Sequence, residues 1–266
     1  MKLTVITVNL NNRKGLVKTV ESVLNQSFRD FEYIIVDGGS HDGSYEFIRE
    51  IAEKHPGVVW TSERDKGVFN AMNKGIMKAK GEYLLFMNSG DYLVDRDVLA
   101  SVFADEHSSD ILLGAARVSE SGKIVWTAFP KSNYSLNDLY HGSLAHQASF
   151  IKKSLFEQHG LYREDLKFMS DWAFFLKVLV LNGGSLESLD VLVSDYNAEG
   201  LSSDLKNRGA IEAEKAKVFS DFGLDRIVVD YKDWDNWMVQ HKPILWAWNK
   251  DILRTIIMFL YRLRHV

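Results

Sequence analysis

The chain has 266 residues, 46% of them hydrophobic, which suits a globular protein with a sizeable buried core. Its formal net charge of -4 provides no general attraction to a polyanion, so we expect no nucleic-acid partner. The absence of cysteine excludes disulfides, thiolate metal sites and a cysteine nucleophile, and it favours a cytoplasmic location.

Up to residue 88, apolar runs alternate with segments of helical period. The predicted strands are Leu3–Asn9, Tyr33–Asp37, Val58–Ser62 and Tyr83–Asn88, and the predicted helices are Lys14–Asn25, Ser44–Lys54 and Val68–Lys80. This alternation predicts an α/β fold with a mostly parallel sheet and helices on both faces. The first apolar run is too short for the core of a signal peptide, so we interpret it as a strand.

After residue 110 the pattern becomes more antiparallel. The extended runs Ile111–Val118 and Lys123–Ala128 flank Ser119-Glu120-Ser121-Gly122 and predict a hairpin. A short strand is predicted at Ser149–Ile151, with helices at Lys153–His159, Ser170–Leu181 and Asp204–Phe222. Residues 129–145 are polar and aromatic without a clear period. We expect an α/β domain over residues 1–203 and a helical extension over residues 204–266.

Polar residues follow the apolar strand Tyr83–Asn88, which ends in Asn88, Ser89, Gly90 and Asp91. Open α/β sheets bind ligands at the carboxyl ends of their strands, so we expect a site here. The small residues Ser89 and Gly90 let a phosphate approach the backbone, and the Asp91 carboxylate is suited to a hard divalent cation. The alternative for Asp91 is a simple helix cap.

Two further loops carry polar groups at predicted strand ends. Asp37 precedes a glycine-rich turn, where a carboxylate can accept hydrogen bonds from a base or ribose. Asp65 and Lys66 follow the third strand, where a cation can reach phosphate oxygens, although a solvated charged loop is equally reasonable. The turn after the first strand lacks the G-x-G-x-x-G pattern, which disfavours a nicotinamide or flavin enzyme.

Asp171 and His146 are the remaining candidates for chemistry. Asp171 falls in the first turn of a predicted helix, where the helix dipole favours an ionised carboxylate that can act as a general base. An ordinary first-turn acid is the alternative. A lone histidine such as His146 is more often structural than a ligand.

Taken together, these motifs resemble the inverting GT-A glycosyltransferases of family 2, over roughly residues 1–203. The matching positions are Asn9, Asp37, Asp65-Lys66-Gly67, Asn73-Lys74-Gly75, Asn88-Ser89-Gly90-Asp91 and Asp171. The resemblance implies a nucleotide-sugar donor, most often UDP-linked, and a divalent metal such as Mn²⁺ or Mg²⁺. It also implies a saccharide or lipid-linked acceptor in polysaccharide or cell-surface glycan synthesis.

The resemblance also assigns roles within the site. The donor-binding residues would be Val8, Asn9, Asp37, Asp65, Lys66, Asn73, Asn88 and Ser89, with Asp91 as the metal ligand and Asp171 as the catalytic base. The family commonly has Asp where this chain has Asn88 and Gly90, and the acidic pair at the base position has become Ser170-Asp171. His146 is a candidate for a further metal ligand or an acceptor contact.

Two other functions are compatible with the sequence. A nucleotidyltransferase also uses an α/β sheet and a metal, but it typically has a glycine-rich basic loop where this chain has Asn9-Leu10-Asn11-Asn12. The reduced acidic motif suggests a degenerate nucleotide-sugar-binding protein without turnover.

The C-terminal tail, residues 252–266, is apolar with arginines near its end and too short to span a bilayer. It fits a peripheral contact at the inner face of the membrane, packing on the catalytic domain, or a homodimer contact.

Overall fold

The computed structural model describes residues 1–120, 122–197, 200, 204–248 and 250–264. Ser121 of the predicted hairpin turn, Ser203 at the predicted domain boundary and Val266 at the end of the tail lie outside them. The strands are β1 (Leu3–Asn9), β2 (Phe31–Asp37), β3 (Val58–Ser62), β4 (Tyr83–Phe86), β5 (Tyr92–Leu93), β6 (Ile111–Glu120), β7 (Lys123–Ala128), β8 (Ser149–Lys152) and β9 (Leu186–Asn197). The helices are α1 (Arg13–Leu24), α2 (Ser44–Lys54), α3 (Val68–Lys78), α4 (Val98–Val102), α5 (Leu136–His141), α6 (Lys153–His159), α7 (Ser170–Phe175), α8 (Arg208–Asp221), α9 (Asp225–Trp248) and α10 (Asp251–Arg264).

These strands form one sheet in the order β3-β2-β1-β4-β8-β6-β9-β5, with β7 paired to the outer part of β6. The pairs among β1 to β4 are parallel, whereas β8 runs antiparallel to both of its neighbours. The parallel register places Asn9 opposite Asp37, and Asp37 opposite Ser62. The α/β class and the mostly parallel first half are therefore confirmed, and the strand ends meet at one edge.

The core lies on both faces of the first parallel strands. Every residue of β1 is buried, and the α1 stripe that includes Leu16 and Val20 packs into the same apolar cluster. Gly75 of α3 lies against β1, because a Cβ there would come within 2.5 Å of an Ile6 methyl group. Removing the side chain lets the helix approach the sheet closely. This packing holds the strand ends in fixed positions.

The second half matches the predicted hairpin, strand and short helix within two residues, but it differs elsewhere. The predicted helix Ser170–Leu181 is α-helical only to Phe175 and continues as π-helical turns over Leu176–Leu181. Asp204–Phe222 becomes a short 3₁₀ turn followed by α8. The two-residue strand β5, the short helix α5, and β9 have no prediction, because short or mixed-polarity segments carry little periodic signal.

The chain divides into two compact units, Met1–Lys215 and Ala216–Val266. The first unit contains the whole sheet, and the second contains α9 and α10. The division after residue 203 stays a prediction of the sequence. None of the helices in the described part of the chain combines the length and hydropathy needed to cross a bilayer.

Candidate active site

Asp37 stands at the centre of a hydrogen-bonded cluster where β1, β2 and β3 end. Its Oδ1 accepts hydrogen bonds from Asn9 Nδ2 at 2.8 Å and Ser40 Oγ at 2.6 Å. Its Oδ2 accepts from Ser62 Oγ at 2.6 Å and from the amides of Ser40 and Gly39 at 2.9 and 3.2 Å. Burial opposes the charge, but the donors from Ser40, Ser62 and Asn9 hold the pKa of Asp37 below its usual value. The sheet register thus builds a rigid, ionised carboxylate.

The Asp65-Lys66 loop lies beside this cluster. Asp65 packs directly against Gly38, where a Cβ would come within 2.4 Å of the carboxylate. Asp65 Oδ1 accepts a hydrogen bond from the Gly67 amide at 3.0 Å, which fixes the turn into α3. Lys66 is exposed, and its amide donates to Asn70 Oδ1 at 3.1 Å. The Asp65 carboxylate therefore lies against the turn that begins at Asp37, and the exposed Lys66 is its neighbour in the chain.

Val8 and Asn73 have mainly structural surroundings. Val8 is buried next to Val36 of β2, and its carbonyl accepts from the Ser89 amide at 3.1 Å. Asn73 Nδ2 donates to the Tyr162 carbonyl at 2.9 Å and to Glu164 at 3.0 Å, while its Oδ1 accepts from the Tyr162 amide at 3.0 Å. Because these bonds occupy both Nδ2 protons and one of the two Oδ1 lone pairs, we leave Asn73 out of the proposed donor contacts.

The loop from Asn88 to Asp91 is held by α1. Asn12 Nδ2 donates to the Ser89 carbonyl at 2.8 Å. Thr19 Oγ1 donates to the Asp91 carbonyl at 2.6 Å and accepts from the Gly90 amide at 3.0 Å. Gly90 has φ of 112°, a backbone conformation that only glycine adopts readily. The loop is therefore pre-formed.

Asp91 has a buried carboxylate that is only 6% exposed. Its Oδ1 accepts from the Asn197 amide at 3.3 Å, and the Gln147 side chain donates a second hydrogen bond. Burial raises its pKa to about 6, although the positive charge of His146 acts in the opposite direction. The two hydrogen-bond donors are neutral, so burial leaves the charge of this carboxylate poorly compensated.

This environment fits a divalent cation. The residues that the structure describes contain no group of three or more histidine or acidic side chains able to hold a metal. Mg²⁺ is, however, commonly held by one or two carboxylates together with the phosphates of a substrate. Asp91 would be the protein ligand, and the donor diphosphate would complete the site.

The structure joins His146 to the candidate base. His146 Nδ1 lies 2.9 Å from Asp171 Oδ2, and the Trp172 amide donates to Asp171 Oδ1 at 2.8 Å. On its other side, His146 Nε2 lies 3.3 Å from Asn88 Nδ2. A chain of three side chains thus runs from the end of β4 to the start of α7.

The charge of His146 favours one arrangement of this chain. Burial disfavours the imidazolium, but the hydrogen bond and charge of Asp171, together with Asp91, raise the pKa of His146. A protonated imidazole donates from both nitrogens, so Nε2 needs an acceptor. The buried Asn88 Oδ1 has no hydrogen-bond partner. A half-turn of the amide, which exchanges its oxygen and nitrogen, provides that acceptor and satisfies both groups.

Several site residues have no counterpart among the sequence predictions. Asn12 and Thr19 form hydrogen bonds with the loop after β4, Ser40 and Ser62 with Asp37, and Gln147 with Asp91. Asn12 is the one with a local signal, because it caps α1 through the Gly15 amide. The others depend on contacts between distant segments, which spacing alone does not reveal.

Comparison with known proteins places this chain in a class. It has the fold of the GT-A glycosyltransferases, as in Staphylococcus aureus TarS residues 1–349 in complex with UDP, with a TM-score of 0.59 and 25% identity. That match covers 74% of this chain and 60% of the other.

The family model for glycosyl transferase family 2 matches residues 4–160, and the chain belongs to this family. It is therefore a glycosyltransferase, and its class of activity is sugar transfer in glycan synthesis. A PGL/p-HBAD biosynthesis glycosyltransferase of Mycobacterium bovis is 27% identical over 239 residues, covering 87% of this chain and 90% of the relative. The poly(ribitol-phosphate) beta-N-acetylglucosaminyltransferase TarP of Staphylococcus aureus is 31% identical over 175 residues, covering 63% and 52%.

Proposed function

We propose that this protein transfers a sugar from a UDP-sugar to a hydroxyl group of a saccharide or lipid-linked acceptor, with inversion at the anomeric carbon. The observation that carries the proposal is the hydrogen-bonded chain from Asn88 through His146 to Asp171. It connects the strand end expected to bind the donor with a carboxylate able to take a proton. The similarity to a UDP-bound TarS fragment supports UDP as the nucleotide.

In this proposal the cluster around Asp37 binds the nucleoside. Five donors already surround the carboxylate, so it would contact the base only by exchanging one of them, and the half-buried Ser62 Oγ is one candidate. Asp65 would accept from the ribose, and the exposed Lys66 would bind the diphosphate oxygens. The Asn88-Ser89 loop would lie along the sugar side of the donor. The residue set assigned to the donor is thus Val8, Asn9, Asp37, Asp65, Lys66, Asn88 and Ser89.

Asp171 would act as the general base. As the acceptor oxygen attacks the anomeric carbon, its proton passes to Asp171, and the bond from that carbon to the diphosphate oxygen breaks. UDP then leaves with the electron pair, and attack from the opposite side inverts the configuration. His146 orients Asp171 through one hydrogen bond, and the Trp172 amide fixes the other oxygen. A bound Mn²⁺ or Mg²⁺ at Asp91 would neutralise negative charge on the diphosphate.

The relatives support the acceptor class, since by name one modifies poly(ribitol-phosphate) and another serves PGL/p-HBAD biosynthesis. A degenerate binding protein would bind UDP without turnover, and a nucleotidyltransferase would release pyrophosphate from a nucleoside triphosphate. Membership of glycosyl transferase family 2 favours sugar transfer over both alternatives.

The deciding experiment is calorimetric titration of the protein with UDP, with and without Mn²⁺. We expect Mn²⁺ to strengthen UDP binding, Asp91→Ala to remove that gain, and the exposed control Asp105→Ala to keep it. UDP binding that ignores Mn²⁺ would contradict the metal assignment. No UDP binding in any condition would contradict the donor assignment.

We further propose that α10 is a contact surface. Its exposed apolar side chains include Ile252, Ile256 and Leu260, which repeat every four residues and so lie on one side of the helix. In α9, Trp234 and Trp246 are also exposed. Aromatic and aliphatic residues with nearby cations are typical of a helix lying at a membrane surface, and a second copy of the chain would be the other partner. The polysaccharide-building role and a location at the inner face of the membrane belong to this proposal.

A further inference from the structure

A cavity with a volume of about 440 Å³ lies beside the base-bearing helix and is separate from the donor residues. The β6–β7 hairpin, the loop after β7, and α5 with the loop after it form its walls. Trp126, Phe129 and Tyr134 contribute aromatic rings, and Asn137, Asp138 and His141 contribute polar groups. This volume falls within the range of small-molecule sites, roughly 300–1,000 Å³.

The aromatic side chains are unusually open to solvent. Trp126 is 56% exposed and Phe129 is 76% exposed. Exposed aromatic rings keep large apolar surface in water, and such surface is commonly retained where a ligand covers it. The rings therefore form a stacking surface that folding leaves uncovered.

The polar lining is arranged around these rings. Asp138 is held by Ser135 in a capping box and pairs with Lys131 at 2.6 Å. This ion pair cancels the local charge. Asn137, one residue earlier on α5, leaves its side-chain amide without a hydrogen bond among the described residues. Aromatic faces combined with an open amide and a carboxylate suit an uncharged ligand that has an apolar face and a rim of hydroxyl groups.

The cavity has a fixed position relative to Asp171. The indole Nε1 of Trp172 donates to the Leu139 carbonyl at 2.8 Å, so the residue after the proposed base holds the middle of α5. Lys215 Nζ donates to the Tyr140 carbonyl at 2.8 Å and lies 5.4 Å from the Trp172 ring. The cavity lining also ends at Ala145, directly before His146. Trp172 and Ala145, the chain neighbours of Asp171 and His146, thus tie the cavity wall to this pair.

We propose that this cavity binds a neutral sugar ring of the acceptor, stacked on Trp126 and hydrogen-bonded by Asn137. The proposal rests on the glycosyltransferase function above and adds the residues that select the acceptor. A pyranose ring has an apolar C–H face and equatorial hydroxyl groups, which match the aromatic and polar parts of the lining. Because neither His146 nor Asp171 lines the cavity, the ring next to the one that carries the reacting hydroxyl would occupy it.

The test uses methyl glycosides of glucose, galactose, mannose and N-acetylglucosamine as probes, without any donor. Saturation-transfer NMR is expected to detect binding of at least one glycoside at millimolar concentration. Trp126→Ala and Asn137→Ala should each weaken its affinity by about tenfold, the scale of one aromatic contact or hydrogen bond. Val125→Ala is the matched control, because Val125 is 58% exposed on the same strand but does not line the cavity.

Circular dichroism verifies that each variant is folded. We expect Trp126→Ala to fold, because the Trp126 side chain is largely exposed. If no glycoside binds, or if Trp126→Ala and Asn137→Ala bind it as well as Val125→Ala does, the proposal is wrong. Octyl glycosides of the same four sugars are the lipid control, and equal binding of all four would overturn the proposal in favour of a lipid site. Because the probes need no nucleotide, a failed UDP titration and a failed glycoside titration are separate results.

Discussion

Replacing Asp91 by asparagine should make the metal-free protein more stable while removing the proposed metal ligand. The carboxylate is buried, its two hydrogen bonds come from the neutral Asn197 amide and the Gln147 side chain, and burial raises its pKa to about 6. Folding therefore favours the neutral form, whereas the unfolded chain has a carboxyl pKa of 3.8. An amide of almost the same shape keeps the acceptor oxygen and carries no charge.

The magnitude follows from linkage. Between these two pKa values the folded state binds more protons than the unfolded state, so stability falls as the pH rises through this window. A difference of about two pKa units corresponds to roughly 3 kcal/mol at pH 7, and at pH 5 roughly half of that penalty applies. At neutral pH, Asp91→Asn should recover most of this free-energy penalty. For a chain of this size, that corresponds to a rise in Tm of about 6 °C or more.

The assay is urea or thermal unfolding in EDTA at pH 5, 6, 7 and 8, with wild type, Asp91→Asn and the exposed control Asp105→Asn. The stability gain of Asp91→Asn over wild type should grow from pH 5 to pH 7 and then stay level. Asp105→Asn should follow wild type throughout. In the presence of UDP, adding Mn²⁺ should further stabilise wild type and the control but not Asp91→Asn.

Two results would refute this reasoning. If Asp91→Asn is less stable than wild type at pH 8, the ionised carboxylate contributes more through its hydrogen bonds than burial costs it. If the difference does not depend on pH, the group does not titrate between pH 5 and 8, and its charge is compensated by partners other than a metal.

Three further predictions concern the proposed general base Asp171, the hydrogen-bonded cluster around Asp37, and α10. Asp171→Asn should lower kcat by about 10² to 10⁴-fold with unchanged UDP affinity. His146→Gln should lower kcat by about tenfold, because glutamine still reaches Asp171. Wild-type kcat in either variant would remove that residue from the mechanism. Asp37→Asn should lower Tm at pH 7, and this decrease in Tm should become smaller as the pH falls below 3.8. The reason is that a carboxylate with a lowered pKa stabilises the fold only while it is ionised. A decrease in Tm that does not depend on pH would contradict this. Deleting α10 should abolish co-sedimentation with anionic liposomes while UDP binding persists, and unchanged co-sedimentation would eliminate the membrane contact.

The alternating pattern predicted the first half of the fold well because its information is local and periodic. Ser44–Lys54 and Val58–Ser62 were predicted with the bounds that the structure has. Parallel pairing then aligns the strand ends without further assumptions, so Asn9 and Asp37 come together as expected. Residues carried by adjacent parallel strands are the part of a site that a single sequence can locate.

The rest of the site depends on contacts that no local pattern encodes. His146 and Asp171 are 25 residues apart and meet only because the segment before β8 and the start of α7 pack together. The Asp91 carboxylate accepts a hydrogen bond from the backbone amide of Asn197, which is 106 residues away at the end of β9. The aromatic and polar lining of the cavity comes from residues 126–145, where α5 is too short to show a helical period.

The hydrogen-bonded chain gives a physical reason for asparagine at position 88, where the resemblance described above leads us to expect an aspartate. An aspartate at position 88 would place a second carboxylate beside His146, which already bonds Asp171. The imidazolium would then be shared between two anions, and its hold on the base would weaken. A neutral amide instead accepts the second proton of the ring without competing for its charge. Asn88 thus leaves Asp171 as the only carboxylate that His146 bonds among the described residues, and in our proposal Asp91 is the metal ligand.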